Sequence, residues 1–255
     1  MPLTNLILIS WYLSIGFIPA SSLEIGEDTV LRYNNSFVQT IGINFNIAQT
    51  VNLFTEVEIR DTKTYAIYFD PYRADFIIGM ETCYKDFKLG VTHECNHDIV
   101  TDIKFNKYNG LDGAWMNIYF NWNKEFKMSD DVSLAPVLRM GFRPYDNVYI
   151  KPVTGDVEDY FGHDFLKGSY NYTLFGKAET GIDIYEYLHA NIGFQPEYSF
   201  EYDNWGIHGN IGIEGRYRKL ALGINWKMQK RFKNTGYAAN ELMLYLSFRG
   251  KTSLF

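Results

Sequence analysis

Histidine, cysteine and aspartate come together in this chain at His93-Glu94-Cys95-Asn96-His97-Asp98. An imidazole beside a thiol can draw off its proton and leave a thiolate able to attack an acyl carbon. Such chemistry needs a base, a nucleophile, a group that orients the base, and donors for the developing oxyanion. His93 and Cys95 are two residues apart, so on an extended strand they share a face. Asp112, on the strand that returns after the next loop, has the parity to join them. His93, Cys95 and His97 also alternate as metal ligands could, but zinc wants a fourth ligand or an open water position. The chain offers no second cluster at ligand spacing, so no metal and no cofactor is expected. The plainer alternative makes His93 and Cys95 interfacial residues and puts His97, Asp98 and Asp102 in a solvated loop.

What must position these residues is a run of strands. From Phe37 onward apolar and polar residues alternate in segments of about ten, the period of a strand with two unlike faces. Phe37, Gln39, Ile41, Ile43, Phe45 and Ile47 oppose Val38, Thr40, Gly42, Asn44 and Asn46. Leu188, Ala190, Ile192 and Phe194 oppose His189, Asn191, Gly193 and Gln195, and Leu220, Leu222, Ile224, Trp226 and Met228 oppose Ala221, Gly223, Asn225, Lys227 and Gln229. Connections alternate between short turns and longer loops, the habit of outer-membrane barrels with periplasmic turns and external loops. Short turns fall near residues 48–50, 85–86, 186–187 and 217–218, with a longer one near 123–130. Long loops fall near 61–73, 95–111, 144–172 and 231–240, and a tight one near 203–204.

Eleven strands fit between Phe37 and Phe248, and an even count requires one more ahead of them. The expected fold is therefore all-β: a single-chain transmembrane antiparallel barrel of about 12 strands, with 10 as the fallback. Residues 23–33 are the expected source of the first strand. Leu6 to Ile18 form an apolar run followed by Ala20, Ser21 and Ser22, so residues 1–22 are expected to be a removed export signal and residues 23–255 the barrel. No Lys or Arg precedes that run. Pro136 and Pro196 each remove a ladder donor, so a bulge or break is expected at both. Cys83 and Cys95 fall at opposite ends of one hairpin, too far apart for a disulfide.

Aromatic residues make up 17% of the chain, with 20 Tyr and 19 Phe, which suits strands and interfacial girdles. The net charge of −6 argues against nucleic acid as a partner and leaves outer-membrane lipids as the expected surroundings. In that setting Phe87, Leu89 and Val91 point to lipid, and His93 and Cys95 continue their row near the outer leaflet.

At this point His93-Glu94-Cys95-Asn96 resembles the His-x-Ser-Asn motif of outer-membrane phospholipase A, and similarly that of the lipid A deacylase barrels. The resemblance covers about thirty residues, from Phe87 to Trp115. It implies His93 as base, Cys95 as nucleophile and Asn106 or Asp112 as the orienting group, with phospholipid or lipid A as substrate. Phe105-Asn106-Lys107 looks like the aromatic-Asn-Arg element of that phospholipase. Cys stands where the family has Ser, and His97-Asp98-Ile99 replaces the Gly-Arg-Ser that helps bind calcium, so calcium is not implied.

The other face carries Glu56, Glu58, Arg60, Glu81, Lys88, Glu94, Arg139, Lys177, Glu179, Asp183, Glu197, Glu214, Arg216 and Lys227. Charges of both signs in a narrow interior call for pairing, so the lumen is expected to be packed, closed or very narrow. Two functions fit: a non-catalytic barrel with a structural, surface or narrow-channel role, or an outer-leaflet acyl-ester hydrolase using His93 and Cys95.

Overall fold

The structure, a computed structural model, describes residues 7–25, 29–61, 71–98, 108–152, 172–185, 187–200, 203–231 and 237–254. Its strands in chain order are β1 (Ile7–Ile25), β2 (Thr29–Ile47), β3 (Val51–Asp61), β4 (Pro71–Tyr84), β5 (Phe87–Asp98) and β6 (Tyr108–Asn123). There follow β7 (Phe126–Lys127), β8 (Val132–Pro152), β9 (Thr173–Ile184), β10 (Leu188–Ser199), β11 (Asn204–Tyr217), β12 (Leu220–Arg231) and β13 (Tyr237–Leu254). Sequential strands pair antiparallel, β1 pairs with β13, and β6 with β8, so twelve strands close on themselves and leave β7 as a two-residue addition to β8. Closure leaves none of the twelve barrel strands at a sheet edge, which is what a strand must have in hydrocarbon.

Strand number agrees with the sequence, but its source does not. Strand β1 pairs with β2 from Ile7↔Ile47 to Ile25↔Thr29 and with β13 from Ile7↔Leu254 to Ile25↔Tyr237. The residues expected to be a removed leader therefore close the barrel in this structure, and residues 23–33 straddle β1 and β2 instead of forming a strand of their own. Period-2 order is present in β1: Leu13 and Ile15 are exposed outside, whereas Ser14, Gly16 and Ile18 are buried inside.

Short turns gather at one end. Ala48 and Gln49 both have positive φ, 49° and 61°, the left-handed pair whose twist matches a tight hairpin. The sequence-expected loops at the opposite end lie largely outside the described residues. Where strands are described at that end they run far: β8 has 21 residues, well beyond the 9–11 that cross a bilayer. His97 and Asp98 are accordingly in β5, paired with Ala74 and Arg73, not in a loop.

At Pro196 the ladder between β9 and β10 lapses, with Phe194↔Ala178 and Glu197↔Phe175 on either side of the gap. Pro136 stays in register with Thr180 of β9, and pairing of β8 with β6 reaches only to Val137. Each proline thus sits where a strand has no donor to give. Cys83 and Cys95 form no disulfide with each other and lie opposite Lys88 and Phe76 of the hairpin.

Candidate functional site

Outside, the barrel is apolar at mid-height and aromatic at both ends. Ile15, Ile41, Ile78, Leu89, Ile118, Met140, Ile192, Ile213, Leu222 and Leu244 are all more than 40% exposed along the middle. Near the turns stand Tyr84, Phe87, Tyr185, Tyr187 and Tyr217. Towards the loops stand the pair Phe17–Phe37, the stacked Phe142–Tyr172 and the cluster Tyr198, Phe200 and Trp205. An apolar band between two aromatic girdles, with charges turned to the lumen, is a surface made for a bilayer.

On that exterior His93 is exposed and lies opposite Ile78 of β4 and Met116 of β6, while Cys95 lies opposite Phe76 and Ala114. Both face outward, at the seventh and ninth positions of β5 counted from its turn, as parity predicts. Asp112 lies in β6 with its backbone paired to Tyr149, and its side chain is not described. Asn106 lies outside the described residues. Base and nucleophile candidates therefore share a face in a patch lined by Ile78, Phe76 and Met116, without a described orienting group. Among the described residues no group of three or more His, Cys, Asp or Glu could hold a metal ion.

Inside, polar chemistry is dense and divides along the barrel axis. Towards the loops, Arg60 of β3 pairs with Glu58 at 2.6 Å and with Glu241 of β13, reaching past two intervening strands. On the facing wall Glu197 of β10 takes Arg143 at 3.4 Å and His208 at 3.1 Å, and Arg143 donates to Asn117 at 2.9 Å. Ile18, Ser36, Val38 and Thr173 are each 1% exposed. Burying charges is unfavourable unless they are paired and hydrogen-bonded, and here they are.

Towards the turns the lumen opens into a cavity of about 1010 Å3. Small and neutral residues such as Ser10, Gly42, Asn44 and Thr92 line part of this wall, so this stretch of the lumen has room that the packed interior expected from the sequence would lack. Glu81 accepts from Tyr119 at 2.8 Å and pairs with Lys88 at 3.1 Å. Glu94 accepts from the Trp115 indole and the Asn117 amide, both at 2.8 Å, and Tyr12 donates to Glu56. Glu214 holds Arg249 at 2.8 Å, Arg216 at 2.6 Å and the Tyr245 hydroxyl at 2.7 Å.

The chain is a β-barrel of the outer-membrane type. Its fold is similar to that of a KdgM porin (11% identity, TM-score 0.41, covering 92% of this chain and 98% of that one). It is likewise similar to a NanC porin (8%, 0.47, 92% and 98%) and to an outer-membrane channel from Pseudomonas putida F1 (8%, 0.47, 97% and 96%). Likeness at this level is one of fold and carries nothing about cargo. No protein-family model matches the sequence, and no curated protein matches it.

Several lumen residues were not legible beforehand. Tyr12 lies in the segment expected to be removed, and Arg249 and Lys251 lie beyond Phe248, where apolar alternation lapses. Parity was the available signal: Ser247, Arg249 and Lys251 continue one face of β13, opposite Ser14, Tyr12 and Ser10.

Proposed function

We propose that this barrel is a non-catalytic, narrow channel for small hydrophilic solutes, entered from the turn side and restricted on the loop side. The observation that carries the proposal is the cavity of about 1010 Å3, which reaches the turn-side rim at Arg218 and Lys219 and stops below the Arg60–Glu241 and Arg143–Glu197–His208 layer. A polar, wet half joined to a packed, ion-paired half is the shape of a conduit with one constriction. Side chains that fill a twelve-strand lumen leave no wide pore, so the solute is small. Ion pairs suit a constriction, because the charges that close it also present a polar path once they separate.

Purified barrel reconstituted in planar bilayers tests this. Discrete steps of small conductance are expected. A bilayer that stays silent over the full voltage range, with barrels shown to be inserted, removes the channel function.

A further inference from the structure

The charges around the turn-side cavity do not balance. Lys88, Arg139, Arg218, Lys219, Arg249 and Lys251 line it against only Glu56, Glu81 and Glu94. Two of the cations have carboxylate partners, Lys88 with Glu81 and Arg249 with Glu214. Among the described residues no carboxylate pairs with the other four. Glu56 and Glu94 take neutral donors, the Tyr12 hydroxyl and the groups of Trp115 and Asn117.

Arg139 is the focus of this excess. It sits on β8 directly opposite Lys177 of β9, a like-charge pair that destabilises a ladder unless something compensates. Lys177 has Glu179 as its partner, whereas the buried Nε of Arg139 has none among the described residues. Its guanidinium lies 4.0 Å from the centroid of the Tyr119 ring. Stacking holds the planar fork in one orientation, and Tyr119 is itself anchored through its hydroxyl to Glu81. A fixed guanidinium with spare donors, at a cavity of about 1010 Å3 ringed by further cations, is built to receive a carboxylate or phosphate group.

We infer that the turn-side cavity is a binding site for small multivalent anions, with Arg139 as its fixed bidentate donor and Lys251, Arg218 and Lys219 as the surrounding field. This names the solute class of the proposed channel and rests on that function for its route, though the site itself is defined by binding.

Titration calorimetry of the full-length barrel in detergent, with citrate and with inorganic phosphate at low salt, tests the site. Saturable binding is expected. Arg139→Gln should weaken it at least tenfold, Arg139→Lys less, and Lys251→Gln several-fold, while Lys85→Gln, on an exposed turn outside the cavity, should leave it unchanged. Heat-modifiable migration checks that each variant folds, and should Arg139→Gln fail to fold, Arg139→Lys and Lys251→Gln carry the comparison. In bilayers with a KCl gradient the reversal potential should favour anions, and citrate on the turn side should reduce the current. Conductance that favours cations, or binding unaffected by every cavity variant, overturns the anion site and leaves the channel standing. Saturable citrate binding in a barrel that never conducts does the reverse.

Discussion

Glu197 shows how much one buried carboxylate can organise. At 3% exposure it serves Arg143 and His208 together, so its removal takes a counter-charge away from a buried guanidinium. Glu197→Gln is expected to destabilise the barrel by about 3 kcal/mol, the usual loss when one member of a buried pair is removed. Urea unfolding followed by heat-modifiable migration measures this, and an unchanged midpoint would show the layer to be ornamental. At the same scale, His93 and Cys95 share the lipid face with Ile78, Phe76 and Met116, so the candidate base and nucleophile both have access to lipid. Their shared face was legible from a spacing of two, because strand parity is local. Whether an orienting group stands beside them was not, because Asn106 and Asp112 are separated from them in the sequence by a segment without strand alternation.

Strands in this barrel fit by pairing a glycine with an aromatic ring directly across the ladder. Gly42 faces Tyr12, Gly90 faces Tyr119, Gly141 faces Phe175 and Gly223 faces Tyr245, all on the lumen side. In each case a methyl group on the glycine would collide with the ring. Gly90→Ala is expected to displace Tyr119, to destabilise the fold by about 1–3 kcal/mol as overpacking does, and to weaken the Arg139 anion site with it. Thermal or urea unfolding beside citrate titration would show both effects together. Strand β1 carries the other prediction at this scale. It is paired on both sides apart from a register break with β13 between Phe17 and Ser21, so the folded barrel should retain residues 7–25, as intact-mass measurement of the membrane-extracted protein would show. If it does, Leu13→Arg places a charge on the lipid face and should destabilise the barrel by about 2–4 kcal/mol at mid-bilayer depth. A mature chain beginning near residue 23 would defeat both expectations. Trp11, Leu13, Ile15 and Phe17 are apolar at alternate positions, while Ile7, Leu8, Ile9 and Ile18 make the same stretch a continuous apolar run, so the sequence fits both a strand and an export signal.

Over the whole molecule, the lumen is a series of two compartments, and the cross-wall pair Arg60–Glu241 belongs to the narrower one. Replacing both residues by alanine removes two paired charges and opens space, so conductance in planar bilayers should rise several-fold with little change in ion preference. Equal conductance in the double variant would move the constriction elsewhere. Selectivity should instead follow the turn-side cations, and should weaken as salt screens them.

The outward apolar rows and the lumen placement of Glu81, Arg139 and Glu197 were legible in the sequence alone, since alternation of period two assigns each side chain a face without reference to any other strand, whereas the residues that supply the first strand were not. Which lumen charges meet is decided by stagger and by reach across the bore. Arg60 finds Glu241 181 positions away, whereas Arg139 finds an aromatic ring and no carboxylate. Only closure of the sheet sets those distances, and so only the tertiary structure separates a sealed half from one with room for an anion.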